Sequence, residues 1–129
     1  MVARGISVAK SGVRILLVED HIDTAKALSR LLDLSGYEVE HAATVASAIE
    51  LSVQTKFDLL ISDIGLPDGT GYELMKVISR QSRIPGIVLS GFGMDHDLQK
   101  AQEAGFTEHL TKPVAFDALQ DAIKRVIAE

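Results

Sequence analysis

An open α/β sheet, wound with helices on both faces, is the fold class this chain predicts, and three observations predict it. Short apolar runs, Ile15-Leu16-Leu17-Val18, Leu59-Leu60-Ile61 and Ile87-Val88-Leu89, are continuous rather than alternating. Continuous apolar strands belong to a sheet buried on both faces, hence to parallel strands covered by helices. Amphipathic stretches fill the gaps between the runs, and the resulting order is five βα units with no internal repeat.

The elements follow in chain order. Residues 1–12 have weak periodicity and two glycines and read as a flexible lead-in or linker, leaving 13–129 as the domain. After the first strand, residues 23–35 place Leu28, Leu31 and Leu32 on one face, with Gly36 where a helix-ending glycine belongs. Tyr37 to His41 is a weaker strand. Thr44 is positioned to cap a helix whose inward side chains include Val45, Ala48 and Ile49. The next helix, Tyr72 to Ser79, offers Leu74, Met75, Val77 and Ile78. A polar helix over 95–104 ends at Gly105, a strand follows over Thr107 to Leu110, and 116–128 put Leu119, Ile123 and Val126 on one stripe.

Composition removes several classes of function. The 129 residues carry a net charge of −5 and no basic run denser than Lys124-Arg125, which argues against nucleic-acid binding. There is no cysteine, so thiol nucleophiles, disulfides and cysteine zinc sites are excluded. The four histidines lack a ligand spacing. The longest apolar run is Ile15 to Val18, far too short to span a membrane, and the first twelve residues lack the apolar region of a signal peptide. The expectation is a cytoplasmic protein, or the cytoplasmic part of a larger one, with no nucleic acid and no membrane among its partners.

In a doubly wound sheet, ligands sit beyond the carboxyl ends of the strands. Glu19 and Asp20 follow the first strand, and Asp63 follows the third, ahead of the turn-rich Leu66-Pro67-Asp68-Gly69. Ser90 and Gly91 follow the fourth, and Lys112 and Pro113 the fifth. Each residue has an ordinary reading. Asp20 serves equally well as a helix cap, Asp63 as a turn cap, Ser90 as a strand-end hydroxyl and Lys112 as a solvated cation. The joint placement is what argues for chemistry, because three carboxylates in one cleft repel. At ~4 Å and an effective dielectric of ~20, each pair costs roughly 4 kcal/mol. A cation relieves that repulsion, and an oxygen-only donor set favours Mg²⁺. With Lys112 for charge and Ser90 for a hydrogen bond, such a cleft suits phosphoryl transfer onto an aspartate.

These motifs resemble the response-regulator receiver (CheY-like) family. The matching stretches are Ile15-Leu16-Leu17-Val18-Glu19-Asp20, Asp58 through Asp63 to Gly69, Val88-Leu89-Ser90-Gly91 and Leu110-Thr111-Lys112-Pro113, within a likeness covering 14–128. The resemblance implies a flavodoxin-like (βα)5 sheet with strand order 2-1-3-4-5. It implies Asp63 as phosphoacceptor and Mg²⁺ as cofactor, held by Asp20, Glu19, Asp63 and the Gly65 carbonyl, with Asp20 the more direct ligand. Ser90 and Lys112 would contact the phosphoryl group. The protein would be a signalling acceptor rather than an enzyme, assisting its own phosphorylation and dephosphorylation. The donor would be a histidine kinase or a histidine phosphotransfer domain, and the fourth helix, fifth strand and fifth helix would bind an effector or a second copy.

Two positions depart from the family's habit. His109 stands where Tyr or Phe usually changes orientation on phosphorylation, so Ser90 and His109 become the expected switch pair. Gly65 stands where a side chain often faces the phosphoryl group. The loop from Gly65 to Gly71 and the run His109 to Val114 resemble receivers fused to hybrid sensor kinases, with a stand-alone regulator as the other arrangement. A degenerate receiver, binding partners without phosphorylation, is the alternative function; it would normally lack an acid or the lysine. Asp68-Gly69-Thr70 matches part of the haloacid-dehalogenase phosphatase motif, but the nucleophile position there is Leu66. Gly91 and Gly93 suggest a dinucleotide loop, but the third glycine position is His96.

Overall fold

The computed structural model describes residues 12–91 and 98–127. Its elements are β1 (Arg14–Val18), α1 (Ile22–Leu34), β2 (Glu38–Ala42), α2 (Val45–Gln54) and β3 (Leu59–Asp63). A small hairpin, β4 (Gly65–Leu66) and β5 (Gly69–Thr70), leads to α3 (Gly71–Gln81), β6 (Gly86–Ser90), α4 (Leu98–Ala104), β7 (Glu108–Thr111) and α5 (Phe116–Ile127). The main sheet has the order β2-β1-β3-β6-β7, and all of its pairings are parallel. Apart from the inserted hairpin, this is the expected 2-1-3-4-5 topology.

Both sheet faces are buried, which is why the strands read as unbroken apolar runs. Along β1, Leu16 and Val18 enter a core with Leu60, Leu74, Met75, Val88 and Phe106, on the side of α2, α3 and α4. Ile15 and Leu17 point the other way, into a core with Ile61 and Leu89 of the sheet, Leu28 and Leu32 of α1, and Leu119 and Ile123 of α5. At about 25 cal/mol per Å² of apolar surface removed from water, these two layers are the main source of stability.

The caps account for most element boundaries. α1 ends in a Schellman arrangement: Tyr37 N–H donates to Leu32 O (3.1 Å) and Gly36 N–H to Asp33 O (3.0 Å). Gly36 has φ 100°, a conformation that a side chain would strain. Tyr37 is thus occupied by the cap, and β2 begins one residue later than expected. The fifth strand of the sheet likewise runs from Glu108 rather than Thr107. Thr44 caps α2 as predicted, its hydroxyl accepting from Ser47 N–H, and Thr70 does the same for α3 through Glu73 N–H. The expected helix over 95–104 is seen from Leu98, and its first three positions lie outside the described residues, as does nearly all of the lead-in.

One inward assignment is corrected. Leu31 is 40% exposed, because the buried line of α1 runs through Ala25, Leu28 and Leu32 and leaves Leu31 at its border. Leu31 instead helps line an apolar hollow of about 680 Å³ with Leu28, Val114 and Phe116, beside Lys112.

Candidate metal and phosphoryl site

The ladder hydrogen bonds run one residue past the strands, and this fixes the backbone of the site. Glu19 N–H donates to Ala42 O (3.0 Å), Ile64 N–H to Leu89 O (3.1 Å) and Lys112 N–H to Ser90 O (2.7 Å). The carboxyl ends of β1, β3, β6 and β7 therefore open onto one edge with Glu19, Asp63, Ser90 and Lys112 in place. The loop after Asp63 turns back sharply: Gly71 N–H donates to Ile64 O (2.7 Å), and a Cβ on Gly71 would collide with Asp63 O. Only glycine fits there.

Glu19, Asp20 and Asp63 each place a carboxylate oxygen within 4.8 Å of the others. Glu19 is buried and Asp20 is exposed. Lys112 Nζ lies 2.7 Å from Glu19 Oε1 and 2.8 Å from Asp63 Oδ1, so it bridges two buried acids rather than standing in solvent. Glu19 Oε2 also accepts from His21 N–H at 2.9 Å. Asp63 Oδ1 is buried with no directed hydrogen bond, leaving the ion pair as its compensation. The donor set is all oxygen and one of its buried atoms is under-satisfied, which fits a hard divalent cation. A cavity of about 150 Å³ lined by Asp63, Gly65, Leu89, Gly91 and Lys112 adjoins the acids.

The electrostatics divide the acids. Burial, helped by Glu19, pushes Asp63 up to about 7 against the pull of Lys112. Burial also disfavours ionised Glu19, but Lys112, Asp63 and the His21 amide together hold its carboxyl below the ordinary value. Lys112 is itself desolvated, and the two acids nevertheless hold its ammonium above its ordinary value. Glu19 is thus the fixed counter-charge to Lys112. Asp63 is the acid whose charge is least compensated.

Glu19, Asp20, Asp63, Gly65, Ser90, His109 and Lys112 all lie at or behind this edge, whereas Gly93 and His96 lie outside the described residues. Gly65 is exposed at the start of β4. Ser90 is fully buried, and its Oγ lies 2.9 Å from His109 Nε2, so the expected switch pair is in contact. The cap reading of Asp20 is corrected: the N-cap of α1 is His21, whose Nδ1 accepts from Thr24 N–H at 3.3 Å. Besides His21, two supporting residues were missed. His41 Nε2 sits 2.6 Å from Glu19 O, and Asp68 reaches across to α2. His21 was detectable as the polar residue just ahead of the helical pattern. The other two contacts span more than twenty residues and leave no local signal.

Residues 15–124 match the response regulator receiver domain family. The chain belongs to it. It is 34% identical to the KDP operon transcriptional regulatory protein KdpE of Escherichia coli over 110 residues, covering 85% of this chain and 49% of KdpE. It is 33% identical to the two-component response regulator ORR24 of Oryza sativa over 118 residues, covering 90% of this chain and 19% of ORR24. The chain thus spans about half of one relative and a fifth of the other. Among solved structures, the chemotaxis protein CheY4 of Vibrio cholerae superposes with a TM-score of 0.83 at 31% identity, covering 89% of this chain and 98% of that one. The signal receiver domain of a signal transduction histidine kinase from Syntrophus aciditrophicus gives 0.81 at 31% identity, with 91% of each chain covered. The protein is a two-component receiver domain in signal transduction, and its acidic cluster is typical of the Mg²⁺ site of such domains. Among the described residues no helix is long and apolar enough to cross a membrane.

Proposed function

We propose that Asp63 is a phosphoacceptor, taking its phosphoryl group from a phosphohistidine on a kinase or phosphotransfer domain, with Mg²⁺ held by Asp20, Glu19, Asp63 and the Gly65 carbonyl. The observation that carries this reading is the buried, under-compensated Asp63 with Lys112 Nζ 2.8 Å away. A carboxylate oxygen of Asp63 attacks phosphorus, the P–N bond to the donor imidazole breaks, and its electron pair leaves with that ring. When bound, Mg²⁺ supplies positive charge to the acids and the phosphoryl oxygens. Lys112 helps keep Asp63 ionised and offers its ammonium to the incoming oxygens, and Ser90 Oγ offers a hydroxyl. The apolar hollow beside Lys112 is a surface that a protein donor would cover. Residues 13–129 are the receiver and 1–12 a lead-in, in a cytoplasmic stand-alone regulator or a hybrid kinase.

Intact mass after incubation with acetyl phosphate and Mg²⁺ tests the reading. One added phosphoryl group that mild base removes is the expected result; an unmodified chain would leave a phosphorylation-independent binding module. The metal roles have their own test. Asp20→Ala should weaken Mg²⁺ binding, followed by NMR shifts, more than Glu19→Ala, since exposed Asp20 is open to an ion while Glu19 is committed to Lys112. Equal losses would refute that division.

Output would run through Ser90 and His109 to the face formed by α4, β7 and α5, where His109 borders a cleft of about 360 Å³ with Gln102 and Phe106. Drawing the Ser90 hydroxyl toward a phosphoryl oxygen changes its bond to the imidazole. The ring ¹⁵N shifts of His109 should therefore move on adding beryllofluoride, a phosphoryl mimic. Unchanged shifts would make His109 a bystander.

A further inference from the structure

Asp68 sits in the two-residue turn, Pro67-Asp68, of the β4–β5 hairpin, yet its carboxylate is spent on another element. Oδ1 accepts from Val45 N–H at 2.7 Å and Oδ2 from Ala46 N–H at 3.0 Å. Those are the first two helical residues of α2, and Ser47 N–H, the third, is taken by the Thr44 hydroxyl at 3.0 Å. One carboxylate thus satisfies two of the donors that a helix start leaves open, where the helix dipole also favours a negative charge. The two backbone bonds hold Asp68 well ionised.

The hairpin is pinned at both ends. At its base, Gly71 N–H binds Ile64 O and the Thr70–Glu73 capping box locks the start of α3. At its tip, Asp68 binds α2. Gly65 lies between these anchors, paired with Thr70 across the hairpin and exposed at the mouth of the site. A backbone carbonyl has no rotamer of its own, so its aim is set by how its loop is held. We infer that Asp68 is a positioning residue for the metal site, a strap from the start of α2 that fixes the loop carrying Gly65. This rests on the Mg²⁺ reading above.

The strap is tested by comparing Asp68→Ala with Thr44→Ala, which weakens the same helix start but leaves the strap. Two quantities are read by NMR: backbone order parameters over residues 65–69 without metal, and Mg²⁺ affinity. Asp68→Ala is expected to lower the order parameters and to cut affinity about tenfold, the scale seen when an outer-shell partner of a metal site is lost. Thr44→Ala should leave both at wild-type values. Wild-type order parameters and affinity in Asp68→Ala would overturn the inference, and so would equal effects from both variants, since helix stability alone would then be responsible. A loosened loop in Asp68→Ala with no Mg²⁺ response from wild type would leave the strap standing and sink the metal reading.

Discussion

Asp63→Asn is expected to acquire no phosphoryl group from acetyl phosphate and Mg²⁺, and to unfold at a higher temperature than wild type in metal-free buffer near pH 7.5. The first effect removes the attacking oxygen anion. The second follows from the burial of Asp63. Asp63 is raised to about 7 from an ordinary 3.8, so the fold prefers it protonated. A carboxyl raised in this way contributes stability that is fully present below pH 4 and is lost as pH climbs through 7. A shift of this size is worth on the order of 4 kcal/mol. Glu19 runs the opposite way: its lowered carboxyl contributes stability above its ordinary 4.5 and loses it in acid. The window between about pH 4.5 and 7 therefore belongs to Asp63. Thermal unfolding of the two proteins across that window should show a gap favouring the variant at pH 7.5 that shrinks to about a quarter of its size by pH 4.5. A gap that does not change with pH would show that Asp63 is not the strained acid, and labelling of the variant would show that it is not the acceptor.

What the sequence disclosed, and what it hid, follows from how far each signal reaches. The strands declared themselves because Ile15 to Val18 and Ile87 to Leu89 are buried on both faces, so their apolar runs are unbroken. Once the βα order was clear, the carboxyl edge followed, and with it Glu19, Asp63, Ser90 and Lys112. Leu31 was misassigned because spacing alone does not tell the centre of a helix face from its border. Asp68 read only as a turn former, since its partners, Val45 and Ala46, lie more than twenty residues away. The bridging position of Lys112 between Glu19 and Asp63 was equally invisible: it depends on the β6–β7 ladder continuing one residue past β7. Residue types at strand ends are local information. Which acid ends up buried against which cation is not.

That bridge sets the other large effect. Lys112→Met keeps the apolar stem but removes the ammonium from between Glu19 and Asp63, whose side chains are only 1% and 8% exposed. Breaking a buried ion pair by deleting one partner costs about 3–5 kcal/mol because the remaining charge is left uncompensated. Lys112 is itself 28% exposed, so water screens part of the interaction and a loss of roughly 2–3 kcal/mol is expected in metal-free buffer at pH 8. The sign with pH is again fixed by protonation. Without Lys112, both acids bind protons more tightly than before, so acidification toward pH 5 neutralises the pair and should recover most of the loss. Removing one acid should do the same at constant pH. Lys112→Met combined with Asp63→Asn is expected to be more stable at pH 8 than Lys112→Met alone, a coupling of the kind a double-mutant cycle isolates. Denaturant unfolding of the four proteins at pH 8 and pH 5 measures it. If the lysine variant loses the same stability at both pH values, and the double variant is no better than the single, Lys112 acts by packing and not as the counter-charge that allows two acids to be buried side by side.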